Sequence, residues 1–217
     1  MPRRTTVIAA ALSLLAFGSP LTTANANPVA NHYFFQGTIK YNQGNYQEAI
    51  IDFNRAAELN PLDAQIFYNR GLAKYYLEDN PGAAEDFTKA IEIDPLDADS
   101  YDMRGNAKSL AGDDKGALAD YNKAVELNPR HIYFYMNRAL TKISLEDYRG
   151  AIADYTKVLE IPPVDQDDLI THSDAYYNRG NSREKLKDLA GACSDWRKAV
   201  EADPEYKEPA ELVRLRC

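Results

Sequence analysis

Few side chains in this sequence have the types and spacing that catalysis or metal binding requires. The histidines His32, His131 and His172 stand far apart, and none shows metal-ligand spacing. The adjacent acids Asp113-Asp114 and Asp167-Asp168 would point in different directions on a helix, which suits turn residues better than a catalytic pair. Nucleophile-elbow, phosphate-binding glycine-loop and spaced calcium-binding motifs do not occur. We therefore predict that the protein is not an enzyme and needs no metal or other cofactor.

Composition limits the remaining classes. The 217 residues are 45% hydrophobic and 27% charged, which is typical of a soluble folded chain. The formal charge of −8 argues against binding bare nucleic acid, because phosphate requires a cationic surface.

The first 26 residues have the layout of a secretory signal peptide. Arg3 and Arg4 precede the apolar run Val7–Phe17, and a small-x-small sequence ends at Ala26. The apolar run has 11 residues, whereas a membrane-spanning helix needs about 20. We predict an exported bacterial protein, periplasmic or secreted, with no stable membrane insertion after cleavage. Removing residues 1–26 would change the net charge from −8 to −10.

The rest of the chain is a repeat of 34 residues. Four prolines recur at that interval, and a fifth, Pro204, follows after 41 residues, which indicates an insertion of seven. The repeats span 30–63, 64–97, 98–131, 132–165 and 173–206, with the insertion at 166–172. Alanine stands at position 20 of every repeat, and position 24 is always aromatic: Phe53, Phe87, Tyr121, Tyr155 and Trp196. Position 8 is small in every repeat: Gly37, Gly71, Gly105, Ala139 and Gly180.

These columns resemble those of the tetratricopeptide repeat family, over residues 30–206. The resemblance implies an all-α, right-handed solenoid of five helix-turn-helix repeats. Small residues at positions 8 and 20 would let the two helices of a repeat approach closely. Residues 207–217 are expected to form a C-terminal capping helix, which stacked repeats need for solubility. The acidic insertion is expected to be a solvent loop, with a partner-contact loop as the alternative.

Two charged columns predict a ladder of ion pairs. Position 7 is arginine in repeats two to five, and position 23 is aspartate throughout. Only the first repeat, which has no aspartate before it, carries an uncharged residue at position 7, Gln36. This favours pairing between neighbouring repeats: Asp52–Arg70, Asp86–Arg104, Asp120–Arg138 and Asp154–Arg179. Asp195 would then pair with Arg214 or Arg216. Solvated surface charges are the alternative.

The two cysteines both belong to the last helical unit. Cys193 lies on the second helix of repeat five, and Cys217 follows in the cap. If that helix and the cap are antiparallel, the thiols come close together, and an exported chain meets oxidising conditions. We predict a disulfide, with two separate thiols as the alternative.

The resemblance implies that the first helices line a concave groove that binds a peptide segment of a partner protein. At the ligand-facing positions the sequence supplies aromatic and apolar residues with acidic interruptions: Phe34, Tyr41, Tyr68, Leu72, Tyr75, Tyr76, Asp99, Asp102, Tyr133, Met136 and Tyr177. Only Asn69 matches the set of groove residues with which some family members hold a C-terminal carboxylate. The expected function is an exported scaffold for envelope or secreted complex assembly; the alternative is a homo-oligomer that stacks end to end.

Overall fold

The computed structural model describes residues 27–217, and the predicted signal peptide lies outside them. In the described part all regular structure is helical, and the fold is an all-α repeat solenoid. The helices are α1 (Pro28–Asn42), α2 (Tyr46–Leu59), α3 (Ala64–Tyr76), α4 (Asn80–Ile93), α5 (Ala98–Leu110), α6 (Asp114–Leu127), α7 (Ile132–Ser144), α8 (Tyr148–Glu160), α9 (Gln166–Lys185), α10 (Leu189–Ala202) and α11 (Lys207–Arg216).

Each repeat is an antiparallel helix pair held together by the small and aromatic columns. A Cβ atom on Gly71 would stand 2.9 Å from Cε1 of Phe87, which is closer than side chains approach. A Cβ on Gly105 would stand 2.7 Å from Cε1 of Tyr121. Phe87 and the alanines of position 20 are 0% exposed. The predicted close approach of the two helices is therefore confirmed.

The turn inside each repeat has a fixed conformation. Position 15 has a positive φ in all five repeats, and Glu78, Glu146 and Lys187 adopt it without being glycine. In repeats two to five the next residue is an aspartate that caps the second helix; for example, Asp113 accepts from the Gly116 N–H at 2.9 Å. A Cβ on Gly116 would clash with that carboxylate. Glycine at this position therefore permits the cap.

The inserted segment is helical, so the prediction of a loop at 166–172 was wrong. It forms the first turns of α9, which has 20 residues. The Asp165 side chain accepts from the Asp168 N–H at 2.9 Å, and the Asp168 carboxylate accepts from the Val164 N–H at 2.9 Å. This reciprocal capping, with two acids in the first turn, favours helix over loop.

The repeats stack in chain order. Each helix contacts the next along the chain, and the first helices of neighbouring repeats also meet, α1 with α3, α3 with α5 and α5 with α7. The first helices therefore lie together along one face, the concave face implied by the resemblance. At the C-terminal end Leu212 and Val213 of α11 pack against the buried cluster of Ala192, Cys193 and Trp196 on α10.

Candidate functional site

The charged columns form ion pairs inside each repeat, so the predicted pairing between neighbouring repeats was wrong. Arg70 pairs with Asp86, Arg104 with Asp120, Arg138 with Asp154 and Arg179 with Asp195, with Nη2–Oδ1 distances of 2.5 to 2.8 Å. The basic residue at position 11 joins the same aspartate, as in Lys108–Asp120 at 2.7 Å. Asp52, which was predicted to pair with Arg70, pairs with Lys40. At the C-terminal end, Arg216 pairs with Glu184 and not with Asp195.

The arginines still link neighbouring repeats, through a neutral acceptor. Arg104 donates from Nη1 to Thr88 of the preceding repeat at 3.1 Å, and Arg138 donates to Asn122 at 3.0 Å. These acceptors occupy position 25, two residues beyond the aspartate column. Repeat one has Gln36 at the arginine position, and among the described residues no earlier repeat would offer it such an acceptor. The guanidinium also lies over the aromatic residue of position 4, with Arg104 Cζ 5.5 Å from the Tyr101 ring centre.

The two cysteines lie together as predicted. Their sulfurs are 2.03 Å apart, the distance of a disulfide, and the bond would join α10 to the end of α11. Cys193 is buried beside Trp196.

Four tyrosines form an aromatic cluster at one end of the concave face. Tyr46 stacks on Tyr76 with ring centres 5.0 Å apart and planes 9° apart. Tyr41 meets the edges of both rings at 5.5 and 5.8 Å, and Tyr75 meets Tyr76 at 6.0 Å. Burial and the neighbouring Tyr76 raise the pKa of Tyr41 above its ordinary value. Tyr76 is 37% exposed, so the cluster is open to solvent at this residue.

The other predicted groove residues divide between surface and core. Phe34 and Tyr68 are half-buried, and each packs on the aromatic residue of position 24, at 5.9 and 5.7 Å. Leu72 is 7% exposed and Met136 is 2% exposed, so their assignment to the ligand-facing surface was wrong. Both pack in the core because stacked first helices cover these side chains.

Acidic side chains lie beside the aromatic residues, where α5 meets α3 and α7. Asp102 is 7% exposed and accepts two hydrogen bonds from Asn137, at 3.0 and 3.2 Å, and one from Asn106. Burial, opposed by these hydrogen bonds, raises the pKa of Asp102 to about 7. Asp99 is exposed to solvent, although partial desolvation and then Asp97 raise its pKa. Asp99 is therefore accessible from solvent, whereas Asp102 lies beneath the surface.

The extended α9 adds residues to this face. Tyr133 is half-buried, and its pKa is raised by burial, although a hydrogen bond with Thr171 of α9 lowers it. Asp168 also influences the pKa of His131, which burial lowers. Tyr177 packs on Tyr206 with ring centres 5.2 Å apart. Residues of the insertion therefore lie next to the start of α7.

Two residues of this site were absent from the sequence prediction. Tyr46 lies on α2, outside the first-helix positions that the resemblance implies, and Asn137 occupies position 6 of its repeat. Only the chemical type of Tyr46, an aromatic residue close in sequence to Tyr41, offered a signal. Within residues 27–217, no group of three or more His, Cys, Asp or Glu side chains is arranged to hold a metal ion. In the same range, every helix is too short or too polar to cross a bilayer.

Comparison with known proteins gives family matches and structural neighbours. MamA from Desulfovibrio magneticus RS-1, solved from residue 41 to its end, aligns with a TM-score of 0.73 and 18% identity, over 82% of this chain and 97% of that chain. YrrB, a tetratricopeptide protein with an unusual peptide-binding site, gives 0.72 and 22%, over 86% and 92%. The first such domain of Spaghetti (RPAP3), bound to the HSP90 peptide SRMEEVD, gives 0.53 and 23%, over 54% and 94%. At these identities the likeness shows the fold. No curated protein sequence matches the chain.

Family models described as tetratricopeptide repeat match residues 34–98 and 68–132, then 132–165 and 173–206. Together they cover most of the five helix pairs described above. The chain belongs to the tetratricopeptide repeat family.

Proposed function

We propose that the protein is an exported interaction scaffold that binds an extended peptide segment of a partner protein on its concave face. The observation that carries this proposal is the tyrosine cluster of Tyr41, Tyr46, Tyr75 and Tyr76, followed on the next first helix, α5, by the exposed Asp99. Tyrosine gives large contact area at low entropy cost, which suits a recognition surface. A peptide that fits both features has aromatic or aliphatic side chains at one end and Lys or Arg towards the other.

The charge of the groove separates this peptide from an acidic chaperone tail. YrrB has a peptide-binding site, and the Spaghetti domain binds the peptide SRMEEVD, whose last four residues include two glutamates and an aspartate. In this chain Asp99 stands on α5, and the buried Asp102 adds negative charge beneath it as pH rises through about 7. An acidic peptide would be repelled there, so the proposed ligand is basic.

An unbiased peptide library tests the proposal. Random peptides displayed on phage are selected on the immobilised chain, and the enriched sequences are then measured on variants. We expect enrichment of aromatic and basic residues, and loss of binding in Tyr76→Ala. The matched control is Ile51→Ala, which alters a residue of α2 that is 52% exposed. Enrichment of acidic peptides, or equal binding to Tyr76→Ala, would refute this function.

Export is a separate part of the proposal. It is supported by the signal-peptide layout of residues 1–26 and by two cysteines at disulfide distance, since disulfides persist in oxidising compartments. The chain expressed with its leader in a bacterial host should be recovered from the periplasm with Asn27 as its first residue. Amino-terminal sequencing decides this, and an intact leader on a cytoplasmic protein would contradict export.

A further inference from the structure

The face by which a first helix meets the preceding repeat is covered in repeats two to five, whereas within residues 27–217 it is uncovered in α1. In α3 this face includes Ile66 and Ala73, which are 1% and 0% exposed, and the same two positions are at most 3% exposed in α5, α7 and α9. No described helix precedes α1. Its corresponding residues, here called the N-terminal face, follow helical spacing: Val29, His32, Phe35, Gln36 and Ile39.

The N-terminal face exposes large apolar side chains to solvent. Phe35 is 65% exposed, Val29 is 53% exposed and Ile39 is 37% exposed. His32 is also exposed. Single exposed apolar residues are common, but an adjoining set on one helix is typical of a contact surface. The N-terminal face is separate from the groove, because the groove residues Phe34 and Tyr41 lie on another side of α1.

The opposite end of the solenoid is closed. There α11 covers the last repeat with Leu212 and Val213, and the cysteine pair and the Arg216–Glu184 ion pair (2.7 Å) link it to α10 and α9. Apart from Leu215, which is 64% exposed, the large remaining side chains of α11 are charged: Lys207, Glu208, Glu211, Arg214 and Arg216. An apolar end would gain little by docking onto this charged helix, so end-to-end stacking is disfavoured.

Charge favours contact between two N-terminal faces. The whole chain carries −8, so two copies repel over most of their surfaces. In a two-fold contact the same surface patch of each copy faces the other. Any charge in that patch therefore lies close to a charge of the same sign. When His32 is neutral, the N-terminal face carries no charged side chain. Gln36 stands there at the position where repeats two to five carry arginine. The one cation of α1, Lys40, is paired with Asp52.

We propose that the N-terminal face binds the same face of a second copy, giving a closed dimer with two-fold symmetry. The contact excludes Val29, Phe35 and Ile39 from water and leaves both grooves free. A helix of this length measures about 22 Å, so the interface is at the small end of the range for specific complexes. The dimer therefore dissociates on dilution.

Sedimentation velocity over a range of concentrations tests the dimer, with the full chain and with the chain that begins at Asn27. For the chain that begins at Asn27 we expect an equilibrium between monomer and dimer, with no larger species. Phe35→Asp should weaken dimerisation by roughly tenfold or more, because it places two carboxylates in the contact. Ile51→Asp is the matched control, since Ile51 is 52% exposed on α2 outside the N-terminal face, and it should dimerise like the wild type.

A second variant and a fold check guard against misfolding. Ile39→Asn should also weaken the dimer, and circular dichroism should show wild-type helix content in each variant used. A monomer at every concentration in both chains, growth beyond the dimer, or equal weakening by Ile51→Asp would overturn the proposal. Peptide binding in the groove should be unchanged in Phe35→Asp, so this proposal and the proposed function fail separately.

Discussion

At the scale of single residues, the polar groups inside the repeats differ in how well they are satisfied. The Tyr121 hydroxyl donates to Asn106 at 2.8 Å, and the Trp196 ring nitrogen donates to Asn181 at 3.0 Å. Both acceptors occupy position 9, where repeat four has Leu140. The Tyr155 hydroxyl of that repeat is buried and finds no hydrogen-bond partner among the described residues. An unpaired buried hydroxyl is destabilising.

Replacing the two tyrosines by phenylalanine should therefore have opposite effects. Tyr155→Phe removes an unsatisfied hydroxyl and should raise the free energy of unfolding by about 1 kcal/mol. Tyr121→Phe breaks a hydrogen bond and should lower it by about 1 kcal/mol. Chemical denaturation of both variants measures the difference. Equal effects of the same sign would contradict the assigned hydrogen bonds.

The buried Asp102 should make stability depend on pH. The pKa of Asp102 in the folded protein, about 7, lies above the ordinary value of about 4. As pH rises, the unfolded chain therefore releases this proton before the folded protein does. The contribution of Asp102 to stability is therefore full at low pH and is lost as pH rises towards and through 7. Between pH 5 and pH 8 the wild type should lose on the order of 1–3 kcal/mol relative to Asp102→Asn. Glu85→Gln, at an exposed acid of α4, is the control, and parallel curves for wild type and Asp102→Asn would contradict the raised pKa.

The position of each ion pair can be tested by double-mutant cycles. Removing one partner leaves an uncompensated charge in a mostly buried site, so Asp120→Ala alone should cost several kcal/mol, about 3. The cycle that pairs Arg104→Ala with Asp120→Ala should give a coupling of about 1–3 kcal/mol. The cycle that pairs Arg104→Ala with Asp86→Ala, the pairing between neighbouring repeats, should give a smaller value. The reverse order would restore the pairing expected from sequence.

The sequence predicted which residues form the ion pairs and the aromatic surface better than it predicted how those residues are paired and exposed. The charged columns and the aromatic columns were visible from the repeat alone. Arg104 lies 16 residues before Asp120 and 18 after Asp86, so spacing alone does not choose between the partners. Burial of Leu72 and Met136 depends on how far neighbouring first helices overlap, and a single helix sequence does not specify that overlap. Exposure of Tyr76 depends on the same packing.

At the scale of helices, local interactions determine where α9 begins and where α11 packs. The insertion was predicted to be a loop because loops tolerate insertions, but Asp165 and Asp168 cap a helix instead. The signal was their spacing of three residues at the start of a segment. The C-terminal helix lies where it was predicted, and its Leu212 and Val213 pack against the buried cluster of Ala192, Cys193 and Trp196 in the last repeat.

The cysteine pair should hold this last helix in place. The cysteines are 24 residues apart in sequence, and a crosslink closing a loop of that size contributes about 3 kcal/mol. Replacing both by serine should lower the free energy of unfolding by up to that amount and expose α11 to rapid amide exchange. Hydrogen exchange read by mass spectrometry follows α11 directly. Unchanged protection of α11 in the double variant would show that packing alone holds it.

At the scale of the whole molecule, the solenoid has a concave face that combines aromatic and acidic surfaces. The repeat period predicted this shape, because each helix pair must bury its apolar side against a neighbour. The tyrosine cluster lies on repeats one and two, and Asp99 lies on repeat three. A peptide running along this face would meet apolar surface first and negative charge second.

The most direct test is a binding titration with three synthetic peptides of equal length, followed by fluorescence anisotropy. One has an aromatic block and a lysine block, the second has the same residues interleaved, and the third has glutamate for lysine. We predict that the first binds best, that Tyr76→Ala costs about 1–3 kcal/mol of its binding, and that Asp99→Asn flattens its salt dependence. Equal binding of all three peptides, or unchanged binding in Tyr76→Ala with helix content retained, would contradict recognition on the concave face.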